Sequence, residues 1–153
     1  MCGINGYNFK DENLIKKMMF HTRNRGPDAR KFISREDITL GHDRLSILDL
    51  NERSNQPFIF KNLILSFNGE IYNYIDLKNH LQKLGYNFKT TSDTEVVIYM
   101  FHKYGIESFK KLSGIFAISL WDENSKTLYL IRDIVGVKPL YYFYDESKNF
   151  IYF

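Results

Sequence analysis

Cysteine is nearly missing from this chain: among 153 residues there is one, Cys2. A lone thiol excludes an intrachain disulfide framework and suits a reducing compartment, so a cytoplasmic location is expected. Long apolar runs are missing as well. No stretch approaches the roughly 20 residues that cross a bilayer, and the start of the chain lacks the apolar core of a signal peptide, so no membrane partner is expected. The glycines are scattered singly, which excludes a phosphate-cradling loop. The histidines, at 21, 42, 80 and 102, lack metal-ligand spacing, and no metal is expected. Charge of one sign is also scarce. The net charge is +3, and the densest basic run, Arg23 to Lys31, has no aromatic ladder interleaved with it. That run is expected to be a solvated loop face, with no nucleic-acid partner.

What the chain has in quantity is aromatic surface. Phe 13 and Tyr 11 bring the aromatic share to 16%, within a hydrophobic share of 44%, which favours β-rich layers over a helical bundle. The length suits one domain, 1–153, with a substantial core. A strand is expected at Ile4 to Phe9. Asp11 then caps a helix whose Leu14, Ile15, Met18 and Met19 share one face. Strands follow at Lys31 to Ser34, Ile38 to Arg44 and Leu63 to Phe67. Tyr74 to Leu84 reads as a helix with Ile75, Leu77, Leu81 and Leu84 inward and Gly85 past its end. A second runs from Thr94 to Tyr104, stopped by Gly105, and a short one covers Glu107 to Leu112. Strands are then expected at Ile115 to Trp121, Thr127 to Arg132, Leu140 to Tyr144 and Asn149 to Phe153. Strands at both ends with helices between them indicate an α+β layered domain.

The position of Cys2 matters chemically. Removal of Met1 would give this residue both a nucleophile and a base. An α-amine titrates at about 7.7 to 8.0, and a thiol at about 8.5 is already partly thiolate, so no histidine is needed. The plainer alternative is a small buried hydrophobe. A thiol that hydrolyses an amide also needs donors for the oxyanion and clamps for the substrate's charged end. Asn68 and Gly69, read as breaking a strand at its end, offer a side-chain amide and a backbone N–H. The alternative there is an ordinary Asn-Gly turn. Arg44 at a strand end can fork onto a carboxylate, or pair with Asp43 or Asp49. Asp93 can accept from a substrate ammonium, or simply cap a helix. An arginine for a carboxylate and an acid for an ammonium would together grip a free amino acid.

MCGINGYNF, RGPD, GHDRLSI, QPF, FNGEIYN, SDTE, LSGIFAISLWD and RDIVGVKPLYY occur here in that order. Together they resemble the glutaminase domain of the asparagine synthetase family, a class II glutamine amidotransferase of the N-terminal-nucleophile hydrolase type. The resemblance covers essentially the whole chain. It implies a four-layer αββα sandwich, with two antiparallel sheets between helical layers. It further implies hydrolysis of L-glutamine to glutamate and ammonia through a Cys2 glutamyl thioester. Cys2 corresponds to the nucleophile, and Asn68 and Gly69 to the oxyanion hole. Arg44 corresponds to the carboxylate contact, Leu45, Ser46, Ile47 and Leu48 to the pocket wall, and Glu70 and Asp93 to the ammonium contacts. Two positions depart from the family pattern: Asn24 precedes Arg25, and Asp43 stands beside Arg44, where it would compete for the guanidinium.

The resemblance implies no cofactor for this domain. ATP and magnesium belong to a synthetase domain that is absent from this sequence and is the expected covalent partner. The sequence thus reads as the glutaminase half of a larger enzyme, with a homodimer as a further expectation. An exposed apolar face is expected at Tyr141 to Tyr144 and Phe150 to Phe153. The alternatives are an amidotransferase half serving another acceptor, such as a sugar, and a catalytically silent docking module if Met1 stays.

Overall fold

In the computed structural model, which describes residues 1–153, local signals and long-range pairing agree over most of the chain. The first strand, β1, is Gly3–Tyr7. Asp11 then opens α1, Glu12–Thr22, by accepting the backbone N–H groups of Asn13 and Leu14 at 2.9 Å each. Such a cap is worth about 1 kcal/mol. There follow β2 (Ala29–Arg35), β3 (Ile38–Arg44), β4 (Phe58–Phe60), β5 (Leu63–Ile71), α2 (Tyr74–Lys83) and α3 (Asp93–Tyr104). The chain ends with β6 (Gly114–Asp122), β7 (Thr127–Arg132), β8 (Phe143–Asp145) and β9 (Phe150–Tyr152). Gly105 stops α3 with a φ of +59°, a conformation that costs a glycine little.

The strands form two antiparallel sheets, one ordered β2-β3-β1-β9-β8 and the other β4-β5-β6-β7. Alternation along β5 and β6 separates two cores. Leu63, Leu65 and Phe67, with Phe116, Ile118 and Leu120, pack against Val96, Val97 and Met100 of α3. On the opposite faces Ile64 and Trp121 meet Ile38, Leu40 and Phe153 between the sheets. Ile15 and Met19 of α1 cover the outer face of the first sheet beside Tyr7. Helix, sheet, sheet, helix is the sandwich that the resemblance implies. Each of these fully buried aliphatic side chains contributes about 1.5 to 3 kcal/mol.

Several local expectations are corrected. β5 continues through Asn68 and Gly69 to Ile71, paired with β6 throughout, so this Asn-Gly pair neither turns nor ends the strand. A Cβ on Gly69 would lie 2.2 Å from the Ile115 carbonyl oxygen, so only glycine fits where the two strands approach. Leu81 is buried in α2, but Ile75 and Leu84 are 57% and 44% exposed. Ile75 lies about 200° around the helix from Leu77, and Leu84 falls beyond the last turn. Ser92, not Asp93, caps α3, its hydroxyl accepting from Thr94 N at 3.2 Å. The short helix expected at Glu107 is a 3-10 turn, Gly105–Lys111. β8 keeps only the end of the expected Leu140–Tyr144 strand, and β4 went unforeseen because its partner, not its own pattern, defines it.

The chain's final strand is covered rather than exposed. β9 pairs with β1 and β8, Gly6 and Phe153 exchange both backbone hydrogen bonds, and Phe153 is buried between the sheets. The other half of the expected apolar face, Tyr141 to Tyr144, is exposed, with Tyr141 at 82%, and Ile134 and Val135 are exposed as well. No helix is long and apolar enough to cross a membrane.

Candidate active site

Four elements deliver polar groups to one end of the sandwich: the start of β1, the end of β3, the distal half of β5 and the first turn of α3. A cleft there is lined by Cys2, Arg44, Leu45, Ile47, Leu48, Asn68, Gly69, Glu70 and Asp93, all expected from the sequence. Ser46 is the exception. Its backbone N–H donates to Asp28 Oδ2 at 2.7 Å, fastening the loop after β3 to the RGPD segment outside the cleft.

The strand geometry of β5 explains why donors gather here. Backbone N–H groups alternate in direction along an antiparallel strand, so those of Phe67, Gly69 and Ile71 point to the same edge. β4 covers that edge only as far as Leu65. Beyond it, Phe67 N–H donates to Gln56 Oε1 at 2.6 Å and Ile71 N–H to Asp93 Oδ2 at 3.0 Å. Gly69 N–H, between them, faces the cleft with no protein acceptor. Asn68, 4% exposed, sits one residue earlier, and its side-chain amide is not used by the hydrogen bonds around it. Two adjacent free donors on a rigid strand form the arrangement that receives an oxyanion.

Cys2 reaches the same place from β1. Its Sγ accepts the Leu45 N–H at 3.4 Å, and its carbonyl accepts from Arg25 Nε at 3.1 Å. Burial pushes the thiol above its ordinary pKa, and the Leu45 N–H pulls it back only in part. With Met1 attached, the thiol is therefore less ionised than a free cysteine. A base must take its proton. With Met1 attached, the nitrogen of Cys2 is an amide and cannot do so, and Met1 itself lines the cleft with its sulfur 3.2 Å from Lys138 Nζ.

Arg44 is 6% exposed and already occupied. Nη1 donates to the Asn51 carbonyl at 3.0 Å and Asn55 Oδ1 at 2.8 Å, and Nη2 to the Leu48 carbonyl at 3.3 Å and to that of Asp49. Its fork thus closes the 45–55 loop, and Nε–H is the donor left over. Asp43 does not compete for it. Alternation turns that carboxylate toward α1, where Thr22 Oγ1 and Arg30 Nε each donate to it at 2.6 Å. The Asp49 carboxylate does not pair with Arg44 either; it binds Asn51, Arg53 and Thr91.

Burial raises the Asp93 carboxyl to about 6, against the opposing hydrogen bond from Ile71, so at neutral pH it is mostly ionised. Glu70 stands exposed at the rim. Residues without an expected role also line the cleft: Ser54, Gln56, Phe67, Ser92, Thr94 and Lys138. QPF and SDTE marked two of these segments, but nothing local showed that Gln56 would meet Phe67. His42, which also has no expected role, lies behind the cleft, wholly buried, with Nε2 3.1 Å from the Phe67 carbonyl. Burial lowers its pKa to about 4, so it is neutral. Nε2 carries the proton, and Nδ1 is a buried acceptor with no partner.

A family model described as a glutamine amidotransferase domain matches residues 1–153. This chain is a member of that family. Among relatives of this amidotransferase domain, asparagine synthetase (glutamine-hydrolysing) 1 of Bacillus subtilis is 41% identical over 152 residues, covering 93% of this chain and 24% of the relative. A putative asparagine synthetase 2 of Methanocaldococcus jannaschii is 34% identical over 172 residues, covering 97% of this chain and 33% of the relative. The amidotransferase domain thus spans about a quarter to a third of those proteins' length. Among solved structures, glutamine phosphoribosylpyrophosphate amidotransferase from B. subtilis superposes with a TM-score of 0.81 at 20% identity, covering 99% of this chain and 41% of that one. That likeness supports the sandwich fold.

Proposed function

We propose that this domain, once Met1 is removed, hydrolyses the side-chain amide of L-glutamine to glutamate and ammonia. The observation that carries the proposal is the free Gly69 N–H at the uncovered edge of β5, beside Asn68 and the cleft that holds Cys2. The Cys2 sulfur attacks the amide carbon while the freed α-amine takes the thiol proton. Asn68 Nδ2 and Gly69 N–H stabilise the oxyanion, and loss of one such donor typically costs about 3 to 4 kcal/mol of barrier. The α-ammonium returns the proton to the departing nitrogen, so ammonia leaves and a glutamyl thioester remains. Water then hydrolyses the thioester and regenerates the thiol. Asp93 and Glu70 accept from the substrate ammonium. Arg44 meets the carboxylate with Nε–H, and with any Nη donor that the loop releases.

In this reading the ammonia goes to an ATP-dependent synthetase domain that makes asparagine. The relatives' names and their greater length support that partner. The exposed apolar residues at Ile134, Val135 and Tyr141 to Tyr144 supply a face for it to cover. The glutaminase step itself uses neither ATP nor magnesium. Ammonia release from glutamine decides the matter when measured on protein with a verified Cys2 terminus, on protein retaining Met1, and on Cys2→Ala. Activity is expected only in the first. Equal turnover with Met1 retained would overturn the α-amine as base, and turnover by Cys2→Ala would overturn the nucleophile.

A further inference from the structure

Where β4 stops, the edge of β5 is not left to water. Gln56 takes the position that a continued β4 would fill, and it uses both ends of its amide. Oε1 accepts from Phe67 N–H at 2.6 Å, while Nε2 donates to Thr94 Oγ1 at 3.2 Å. Ser92 Oγ then lies 3.0 Å from Thr94 Oγ1 and 3.4 Å from Asp93 Oδ1. Asp93 Oδ2 returns to the strand at Ile71 N–H, 3.0 Å away. These side chains trace an arc that leaves β5 two residues before Gly69 and rejoins it two residues after. The Gly69 N–H sits in the middle of the span.

We propose that Gln56 is a positioning residue for the oxyanion donors, bracing the Asn68-Gly69 segment against the start of α3. The inference rests on the glutaminase reading of the cleft and deepens it. Only a side chain with an acceptor and a donor on one planar group closes the arc: glutamate loses the donor, and methionine loses both. The loss matters because Gln56 is 6% exposed and Phe67 is 3% exposed, so an abandoned Phe67 N–H finds little water. The arc also joins the two functions of the cleft. The carboxylate that meets the substrate ammonium and the strand that meets the oxyanion share one chain of hydrogen bonds, so slack at Gln56 is felt at both. A donor misplaced by a fraction of an ångström stabilises the transition state poorly while the substrate still binds.

The test uses the processed protein and the variants Gln56→Met and Thr94→Val, with glutaminase kinetics and amide hydrogen exchange measured on each. Gln56→Met is expected to lower kcat about tenfold or more and to raise KM by a smaller factor, because the lost support acts mainly in the transition state. Exchange should quicken at Phe67 and Ile71 together. Thr94→Val cuts the arc but leaves the Gln56–Phe67 bond in place, so faster exchange at Phe67 in this variant reports the brace itself. It also keeps the proposal testable if Gln56→Met folds poorly. An unchanged kcat with a raised KM, or exchange at Phe67 indifferent to Thr94→Val, would overturn the proposal. Should the wild-type protein release no ammonia, the glutaminase reading falls, and the exchange result still decides whether the brace exists.

Discussion

The layer between the two sheets has two ends made from the same strands, and they are built on opposite principles. At one end Ile38, Leu40, Ile64, Trp121 and Phe153 fill the space with apolar volume. At the other, the continuing alternation of the same strands places His42 and Arg44 on β3, Ser66 and Asn68 on β5, and Ser119 on β6, all buried. No fully buried side-chain polar atom at the apolar end is left without a partner. The polar end leaves His42 Nδ1 and Ser66 Oγ without partners. An unpaired buried polar group costs about 1 to 3 kcal/mol, so the polar end is a net burden that the apolar end offsets. Stability and reactivity are thus separated along a single layer.

Mutations should separate with them. Trp121→Ala at the apolar end should lower unfolding free energy by about 3 to 5 kcal/mol, read by denaturant titration, while leaving kcat of the folded fraction near wild type. Asn68→Ala at the polar end should do the reverse, lowering kcat about 100- to 1000-fold with a much smaller change in stability. If both substitutions moved stability and kcat alike, the separation would be lost.

A smaller effect tests the polar end by pH. Burial raises Asp93 to about 6 in the folded chain, above the roughly 3.9 of an unfolded aspartate. The folded state therefore holds that proton more tightly. The stability it contributes is present below the unfolded value and is lost as pH rises through about 6. Substrate binding runs the other way, because only the ionised carboxylate attracts the ammonium. The KM for glutamine should rise as pH falls below about 6, and Asp93→Asn should remove that dependence; a profile unaltered by the substitution would dismiss Asp93 from the ammonium site. The smallest effect is expected from Ser66→Ala, which deletes an unpaired hydroxyl and should stabilise the fold by up to about 1 kcal/mol.

Structure is legible in this sequence where it is local and illegible where it depends on a distant neighbour. β3 and β7 fall on the expected residues because alternation and flanking turns mark both ends. The sequence points to an end of β5 at Phe67 because Asn-Gly usually turns, whereas pairing with β6, more than 40 residues away, carries the strand to Ile71. The same blindness affected Arg44, whose position in the cleft was legible but whose Nη donors are consumed by carbonyls of a loop with no repeating pattern. Gln56 and His42 escaped for the same reason. Their roles come from the free edge that β4 leaves behind, and that edge exists only in the assembled sheet.

The central claim is that Cys2, freed of Met1, is the nucleophile facing the Asn68 and Gly69 donors. Intact-mass and peptide mapping after exposure to a glutamine-analogue electrophile tests it most directly. Protein with a free Cys2 terminus should acquire a single adduct on residue 2, suppressed by excess glutamine, and Asn68→Ala should slow the labelling. Protein retaining Met1 should stay unlabelled. An adduct elsewhere in the chain, or equal labelling of Cys2 with Met1 still in place, would contradict the account.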